Sequence, residues 1–262
     1  MKILVTVKEV AEAADDFEIE GDDIAERYLE YDLNEWDDYA VEAAVQLQEA
    51  GEDVETVSVT IGPERSEETI RMALAKGIDR AVRVWDDDIA GADLDVAARA
   101  RLLAAVAEEE EPDLILTGVQ ANDTGFGATG VALAEELGYE WAAVVNHLDM
   151  EAGDPAAAVR RELEGGVEEL TEVDLPAVLT IQTGINEPRY ASLRGIRRAQ
   201  SKEIAPKALS DLGVDESVID SPIRRTAMYE PETESDATYF EGDPEDQASE
   251  LADLLREKGV AQ

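Results

Sequence analysis

The chain has 262 residues, 44% of them apolar, and carries 63 acidic against 22 basic side chains for a formal net charge of −41. With no cysteine and one histidine it can form no disulfide, thiolate nucleophile or cysteine-ligated cluster, and a charge of this sign argues against a nucleic-acid partner. No apolar run approaches the ~18 residues that span a bilayer, and Met1-Lys2-Ile3-Leu4-Val5 is too short for a signal peptide, so a cytoplasmic location is expected.

Sixteen of the basic residues are Arg and six are Lys, and the acids are spread along expected helices as well as loops. Such surfaces resemble those of proteins from salt-loving organisms, where the acids serve solvation. Repulsion on this scale weakens a fold when salt is removed.

Residues 2–7 are apolar and β-branched, which predicts a strand. Lys8-Glu9-Val10 leads into a polar loop, and the alternating residues 17–20 and 27–31 predict a small hairpin around Gly21-Asp22-Asp23. Asn34 reads as a helix N-cap, with Asp37 completing a capping box; the helix buries Trp36, Ala40, Ala43, Ala44 and Leu47 and ends near Gly51. Residues 54–61 predict a second strand. Ser66 then caps a helix carrying Ile70, Ala73 and Leu74, with Gly77 as its stop. Residues 80–85 predict a third strand and residues 94–109 a long helix.

Pro112-Asp113 opens a fourth, buried strand, Leu114-Ile115-Leu116. Val131, Leu133, Ala134 and Leu137 have helical spacing, and Gly138 stops that helix. Between strand and helix lie Gly118, Gly125, Gly127 and Gly130, mixed with Thr124 and Thr129. Glycines at such a junction let backbone approach a ligand closely, and the first helical N–H groups have no internal partner, so a phosphate fits there. The segment is neither Gly-x-Gly-x-x-Gly nor a P-loop, and a glycine-rich turn without a ligand accounts for it equally well. Residues 139–145 predict a fifth strand. Strands alternating with helices make the fold α/β, a mostly parallel doubly wound sheet, with a ligand expected beyond the carboxyl ends of the first and fourth strands.

Beyond Val145 short extended pieces follow at residues 148–150, 156–163, 167–173 and 176–182, which predict an antiparallel addition. Residues 183–204 hold five basic side chains, Arg189, Arg194, Arg197, Arg198 and Lys202, against Glu187 and Glu203. In so acidic a chain this is either a locally paired loop or a docking patch for an acidic partner. Residues 205–262 carry fifteen acidic and five basic side chains, with Leu251, Leu254 and Leu255 on one face of a last helix opened by Asp243-Pro244. So polar a tail cannot make a core of its own. His147 lies in an apolar stretch, which suits a structural role, and no Ser–His–Asp set or nucleophile elbow is present. Redox work therefore requires a bound cofactor.

Four segments carry a resemblance to the beta subunit of electron-transfer flavoprotein. Met1-Lys-Ile-Leu-Val-Thr-Val-Lys8 is similar to that family's opening strand, and Asp32-Leu-Asn-Glu-Trp36 to its Asn-Pro-aromatic helix start. Gly118-Val-Gln-Ala-Asn-Asp123 resembles its Gly-Lys-Gln-Ala/Ser-x-Asp loop. The most specific match is ordered over some forty residues: Val159-Arg-Arg161, Glu164-Gly165-Gly166, Glu168, Leu170, Leu175-Pro-Ala-Val-Leu-Thr180 and Asn186-Glu-Pro-Arg-Tyr-Ala-Ser-Leu193.

The resemblance implies a heterodimer whose alpha subunit holds most of the redox-active FAD. This chain would complete that site and hold a second adenine nucleotide, AMP in simple carriers or a second FAD in electron-bifurcating ones. By position, Thr6 would lie by the adenine, Asn34, Glu35, Trp36 and Asp37 would line the ribose side, and Ile61 would end the second strand. Gly118, Val119, Gln120, Ala121, Asn122, Asp123, Thr124, Gly125, Phe126, Gly127, Ala128 and Thr129 would cradle the phosphate. Leu193, with Arg194, Arg197 and Arg198, would dock flavin dehydrogenases such as acyl-CoA dehydrogenases, and a quinone oxidoreductase would take the electrons on. Residues 1–204 would form the nucleotide-binding domain and residues 205–262 an acidic extension packed on the alpha subunit.

The chain departs from the family pattern at Lys8-Glu-Val, where Pro-Asp is usual, at Glu35 for Pro, at Val119 for Lys, and at Arg194-Gly195 for Pro-Asn. Two other classes compete. An adenine-nucleotide-using ligase or hydrolase would need a Ser-Gly-Gly-x-Asp-Ser loop, which is missing. A universal-stress-type regulatory module would lack the segment beyond Val145.

Overall fold

The computed structural model describes residues 1–230 and 237–260. These form two compact units, residues 1–227 and a C-terminal unit from Met228 onward. In chain order the first unit contains β1 (Lys2–Thr6), β2 (Glu9–Ala13), β3 (Ile19–Glu20), β4 (Asp23–Ile24), β5 (Leu29–Leu33), α1 (Glu35–Ala50), β6 (Glu55–Ile61), α2 (Glu67–Lys76) and β7 (Arg80–Val84). It continues through α3 (Asp87–Ala90), α4 (Val96–Glu110), β8 (Leu114–Gly118), α5 (Thr129–Leu137), β9 (Glu140–Asp149), β10 (Ala156–Leu163), β11 (Val167–Asp174), β12 (Ala177–Ile181), α6 (Leu193–Ala199) and β13 (Ile204–Lys207).

Nine strands form one sheet in the order β11-β10-β9-β12-β8-β1-β6-β7-β13. The seven from β9 to β13 in that order run parallel, and β10 and β11 add an antiparallel hairpin at one edge. The chain moves outward from β1 through β6 to β7, then returns to β8 on the other side of β1. The sheet direction therefore switches between β1 and β8, where doubly wound sheets open a crevice.

Side chains alternate across the sheet and divide the core in two. Ile3, Val5, Leu114, Leu116 and Leu179 pack with Ala40, Val41, Ala44, Ile70 and Leu74 of α1 and α2. Leu4, Val57, Val59, Ile115 and Val178 pack on the opposite face with Leu102, Val106 and Leu133 of α4 and α5. All of these are nearly inaccessible to solvent, so truncating any large one costs about 2–5 kcal/mol.

Three local expectations are corrected. The sequence predicts residues 176–182 in an antiparallel addition, but β12 lies in the parallel body of the sheet between β8 and β9. All five of its residues are buried, and a run that is apolar on both faces suits an interior parallel position. Residues 29–33 pair with Glu9–Ala13 as β5 against β2, so the loop expected after Lys8 is a strand; only the two-residue β3 and β4 meet at Gly21-Asp22. Ser66 ends a short turn before α2 without capping it, and its hydroxyl donates instead to Glu9.

β9 is also longer than expected and runs through Asp149 by way of an irregularity at Val144, where φ is +62°. The Val144 N–H donates to Thr180 Oγ1 at 2.9 Å. β13 pairs with β7 at the far edge, where Pro206 needs no N–H partner. The stretch read as an acidic tail thus begins inside this strand, and Leu209 and Leu212 beyond it are buried. Arg101 of α4 donates to the carbonyls of Val218 and Asp220.

The C-terminal unit contains α7 (Pro244–Glu257), capped by Asp243, which accepts the N–H groups of Glu245 and Asp246 at 3.0 Å. None of its residues is buried. Among the described residues no helix is long and apolar enough to cross a membrane.

Candidate nucleotide-binding site

A cleft opens at the carboxyl ends of β1, β6 and β8. Thr6, Val7 and Lys8 form one wall, Val59, Ile61 and Leu103 an apolar one, and the loop of residues 118–128 closes it toward the start of α5. No side chain caps α5, and the N–H groups of Thr129, Gly130 and Val131 have no partner among the described residues. Two of these backbone donors, those of Thr129 and Gly130, line the cleft at the positive end of a helix dipole.

The loop is held open by the first turn of α1. Asn34 Nδ2 donates to the Gln120 carbonyl at 2.8 Å, and Asn34 Oδ1 accepts the Asn122 N–H at 3.2 Å. Asp37 accepts the Lys8 N–H on one oxygen at 2.8 Å and the Gly118 N–H on the other at 3.0 Å. Asn34 and Asp37 are both buried. The capping box expected of this pair is absent: Asn34 makes no side-chain cap bond. Both side chains are used to join α1 to the ends of β1 and β8.

Gly118 is where α1 and β8 touch. A Cβ there would stand 2.5 Å from Asp37 Oδ1 and 2.6 Å from the Trp36 Cβ. Gly127, in the exposed part of the loop, has φ +61° and no near contact.

Burial pushes the Asp37 carboxyl up to about 7, against the N–H groups of Lys8 and Gly118 and the Asn34 amide, which favour its ionised form. Lys8 Nζ lies 2.5 Å from Asp123 Oδ1 and 3.3 Å from Thr124 Oγ1, tying the loop to β1. Burial pushes the Lys8 ammonium down, and Asp123 partly offsets this.

Most of the residues assigned from the sequence line this cleft: Thr6, Asn34, Asp37 and Ile61, then Gly118 to Ala121, Thr124, and Phe126 to Thr129. Glu35, Trp36, Asn122, Asp123 and Gly125 lie outside its lining. Trp36 is half-buried and donates its indole N–H to Gln182 Oε1 at 3.1 Å. Of the lining residues the sequence did not assign Val7, Lys8, Val59, Leu103, Thr117 and Gly130, which the ends of β1, β6 and β8 and the flanking helices bring together, nor Arg99. Arg99 precedes Leu103 by four residues on α4, so an arginine sharing a helix face with an apolar side chain was the available signal.

The basic segment divides in two. Arg189 pairs with Glu42 at 2.8 Å and Glu49 at 2.7 Å, and Lys202 donates to the carbonyls of Leu74, Gly77 and Ile78 at the end of α2. Arg194, Arg197 and Arg198 are exposed and pair with no carboxylate among the described residues. Leu193 begins α6 at 80% exposure, and Tyr190 is 98% exposed.

The hairpin edge of the sheet shows Trp141, Leu163, Val167 and Leu170 to solvent. His147, expected in an apolar setting, is exposed, because it falls on the outward face of β9.

The electron transfer flavoprotein domain matches residues 23–212. The chain is 46% identical to electron transfer flavoprotein subunit beta of Methylophilus methylotrophus over 98% of each chain. It is 34% identical to that of Bacillus subtilis (strain 168), again over 98% of each, and 36% identical to that of Homo sapiens over 90% of this chain and 94% of the human one.

Proposed function

The chain belongs to the electron transfer flavoprotein family as a beta subunit, the partner of an alpha subunit, and from that premise we propose that it holds an adenine nucleotide in the cleft between β1 and β8. In this reading it is a cytoplasmic carrier subunit rather than a catalyst. It completes an FAD site held mostly by the alpha subunit and serves between flavin dehydrogenases and a quinone oxidoreductase.

The observation that carries the reading is the loop of residues 118–128, braced open by Asn34 and Asp37 at the switch point of the sheet, with unpaired N–H groups at the start of α5. The residues present fit an adenine nucleotide. The apolar wall of Val59, Ile61 and Leu103 suits a base, and the backbone donors with Arg99 suit a phosphate. AMP requires no more than this. Bound FAD would supply the electron-accepting chemistry that these side chains lack.

The exposed apolar side chains of β9 to β11 and the apolar stripe of α7 support contact with the alpha subunit, each as a separate surface. The exposed Leu193 among unpaired arginines supports a docking anchor for a dehydrogenase.

The test is Gly127→Asp in the co-produced heterodimer. The backbone there is left-handed, so any side chain strains it, but a Cβ would meet nothing closer than the Val119 carbonyl at 3.7 Å; Gly127→Ala carries the same strain without the carboxylate and is the control. Nucleotide released by denaturation should fall far below the wild-type content. Full retention of AMP or FAD would overturn the site.

A further inference from the structure

Arg99 lies on α4 and lines the cleft beside Leu103, which is 5% exposed. Its own side chain is half-buried. In a chain with 63 carboxylates, none comes within ion-pair distance of it among the described residues. Arg65, Arg80 and Arg189 each take a carboxylate. The other cation of the cleft, Lys8, is already occupied by Asp123 and Thr124.

Even partial desolvation of a guanidinium without a close anion is unfavourable. Burial accordingly pushes Arg99 down from its ordinary value, and the more distant carboxylates of Asp123 and Asp95 offset this only in part. The same cleft presents the open N–H groups at the start of α5, and Asp37 directs both its oxygens to backbone N–H groups. A cation and a set of backbone donors thus face one cleft, and no carboxylate among the described residues pairs with either.

We propose that Arg99 is the charged ligand of the nucleotide's phosphate group, so that the cleft selects phosphorylated nucleosides over nucleosides. This rests on the nucleotide reading given above and assigns a residue outside the glycine-rich loop to it. The planar guanidinium supplies paired donors matched to phosphate oxygens, while the loop and α5 supply neutral ones. Lys8 positions the loop through Asp123 and leaves the phosphate charge to Arg99. The position of Val119, which brings no charge to the loop, is then filled electrostatically from α4.

The experiment titrates nucleotide-depleted heterodimer with AMP and with adenosine, in wild type, Arg99→Gln and Arg99→Lys. Arg99→Gln should weaken AMP binding roughly ten- to hundredfold and leave adenosine within about twofold. Arg99→Lys should recover part of the AMP loss, and added salt should weaken AMP less in Arg99→Gln than in wild type. Equal losses for AMP and adenosine, or no loss for AMP, would overturn the assignment while leaving the nucleotide site intact. A wild-type heterodimer that takes up neither AMP nor FAD would overturn the nucleotide reading itself. Near-ultraviolet circular dichroism of Arg99→Lys, which keeps the charge and most of the stem, separates a binding defect from misfolding.

Discussion

The Asp37 carboxylate occupies the space a side chain at Gly118 would need: a Cβ there would lie 2.5 Å from the same oxygen that accepts the Gly118 N–H at 3.0 Å. The hydrogen bond and the glycine are therefore one feature. Gly118→Ala must push α1 away from β8, at about 1–3 kcal/mol in unfolding free energy, and should reduce retained nucleotide as well. Urea unfolding of the heterodimer, with assay of released nucleotide, checks both. A neutral substitution would mean that α1 shifts freely.

The Asp37 carboxyl should also shape the pH dependence of stability. Burial raises it to about 7 in the folded chain, against an ordinary 3.8. Between those values the folded state binds more protons than the unfolded one, so the contribution is full below about pH 4 and is lost as pH rises through 7. Relative to Asp37→Asn, the wild type should lose up to a few kcal/mol across that window, measured by urea unfolding in molar salt. A constant difference would show that its hydrogen bonds keep the carboxylate ionised throughout.

The docking and structural arginines should separate cleanly. Leu193→Ala removes an 80% exposed side chain, so the melting midpoint should hold while a dehydrogenase complex weakens roughly tenfold to a hundredfold. Arg197→Glu with Arg198→Glu should slow association, less so at high salt. Stopped-flow flavin reduction reads both; a lowered melting midpoint with intact kinetics would place Leu193 in the core.

Arg189→Ala should behave in the opposite way. Glu42 is 4% exposed and would lose its cation, which costs about 1–3 kcal/mol at this half-buried pair. The melting midpoint should drop with little change in dehydrogenase encounter. Unchanged stability would mean that Glu42 finds water or a proton instead.

At a net charge of −41 the fold should strengthen with salt. The screening length shrinks from ~30 Å at about 0.01 M to ~3 Å at about 1 M, and the thermal midpoint should rise over that range. A flat profile would mean that pairs such as Arg80–Glu110 already balance the repulsion.

Much of this was legible in the sequence because its signals are local. β1, β8 and the glycine-rich turn announce themselves by apolar runs and glycine spacing, and the ends of α1 and α5 by Gly51 and Gly138. The failures are long-range. Asn34 and Asp37 have the spacing of a capping box, but their partners are backbone groups 86 and 81 residues away. The run 177–181 reads alike at an antiparallel edge or in a parallel interior; only its neighbours β8 and β9 distinguish the two. Arg99 looks like any helical cation until the cleft around it is seen.

The position of β12 has a consequence for how the chain assembles. β8 and β9 follow each other through α5, yet they cannot pair, because the strand between them is made last of the three. During synthesis, when residue 175 has been added, the half-built sheet carries unpaired parallel edges on β8 and on β9, besides the β7 edge that β13 covers later, with the β10–β11 hairpin already on the far side of β9. Such edges invite pairing with other chains. A chain ending before Ala177 should aggregate although every helix around the cleft is present, and extension through Ile181 should lessen this by filling the gap between β8 and β9 with a single strand of five residues, the β7 edge staying open until Lys207 is added.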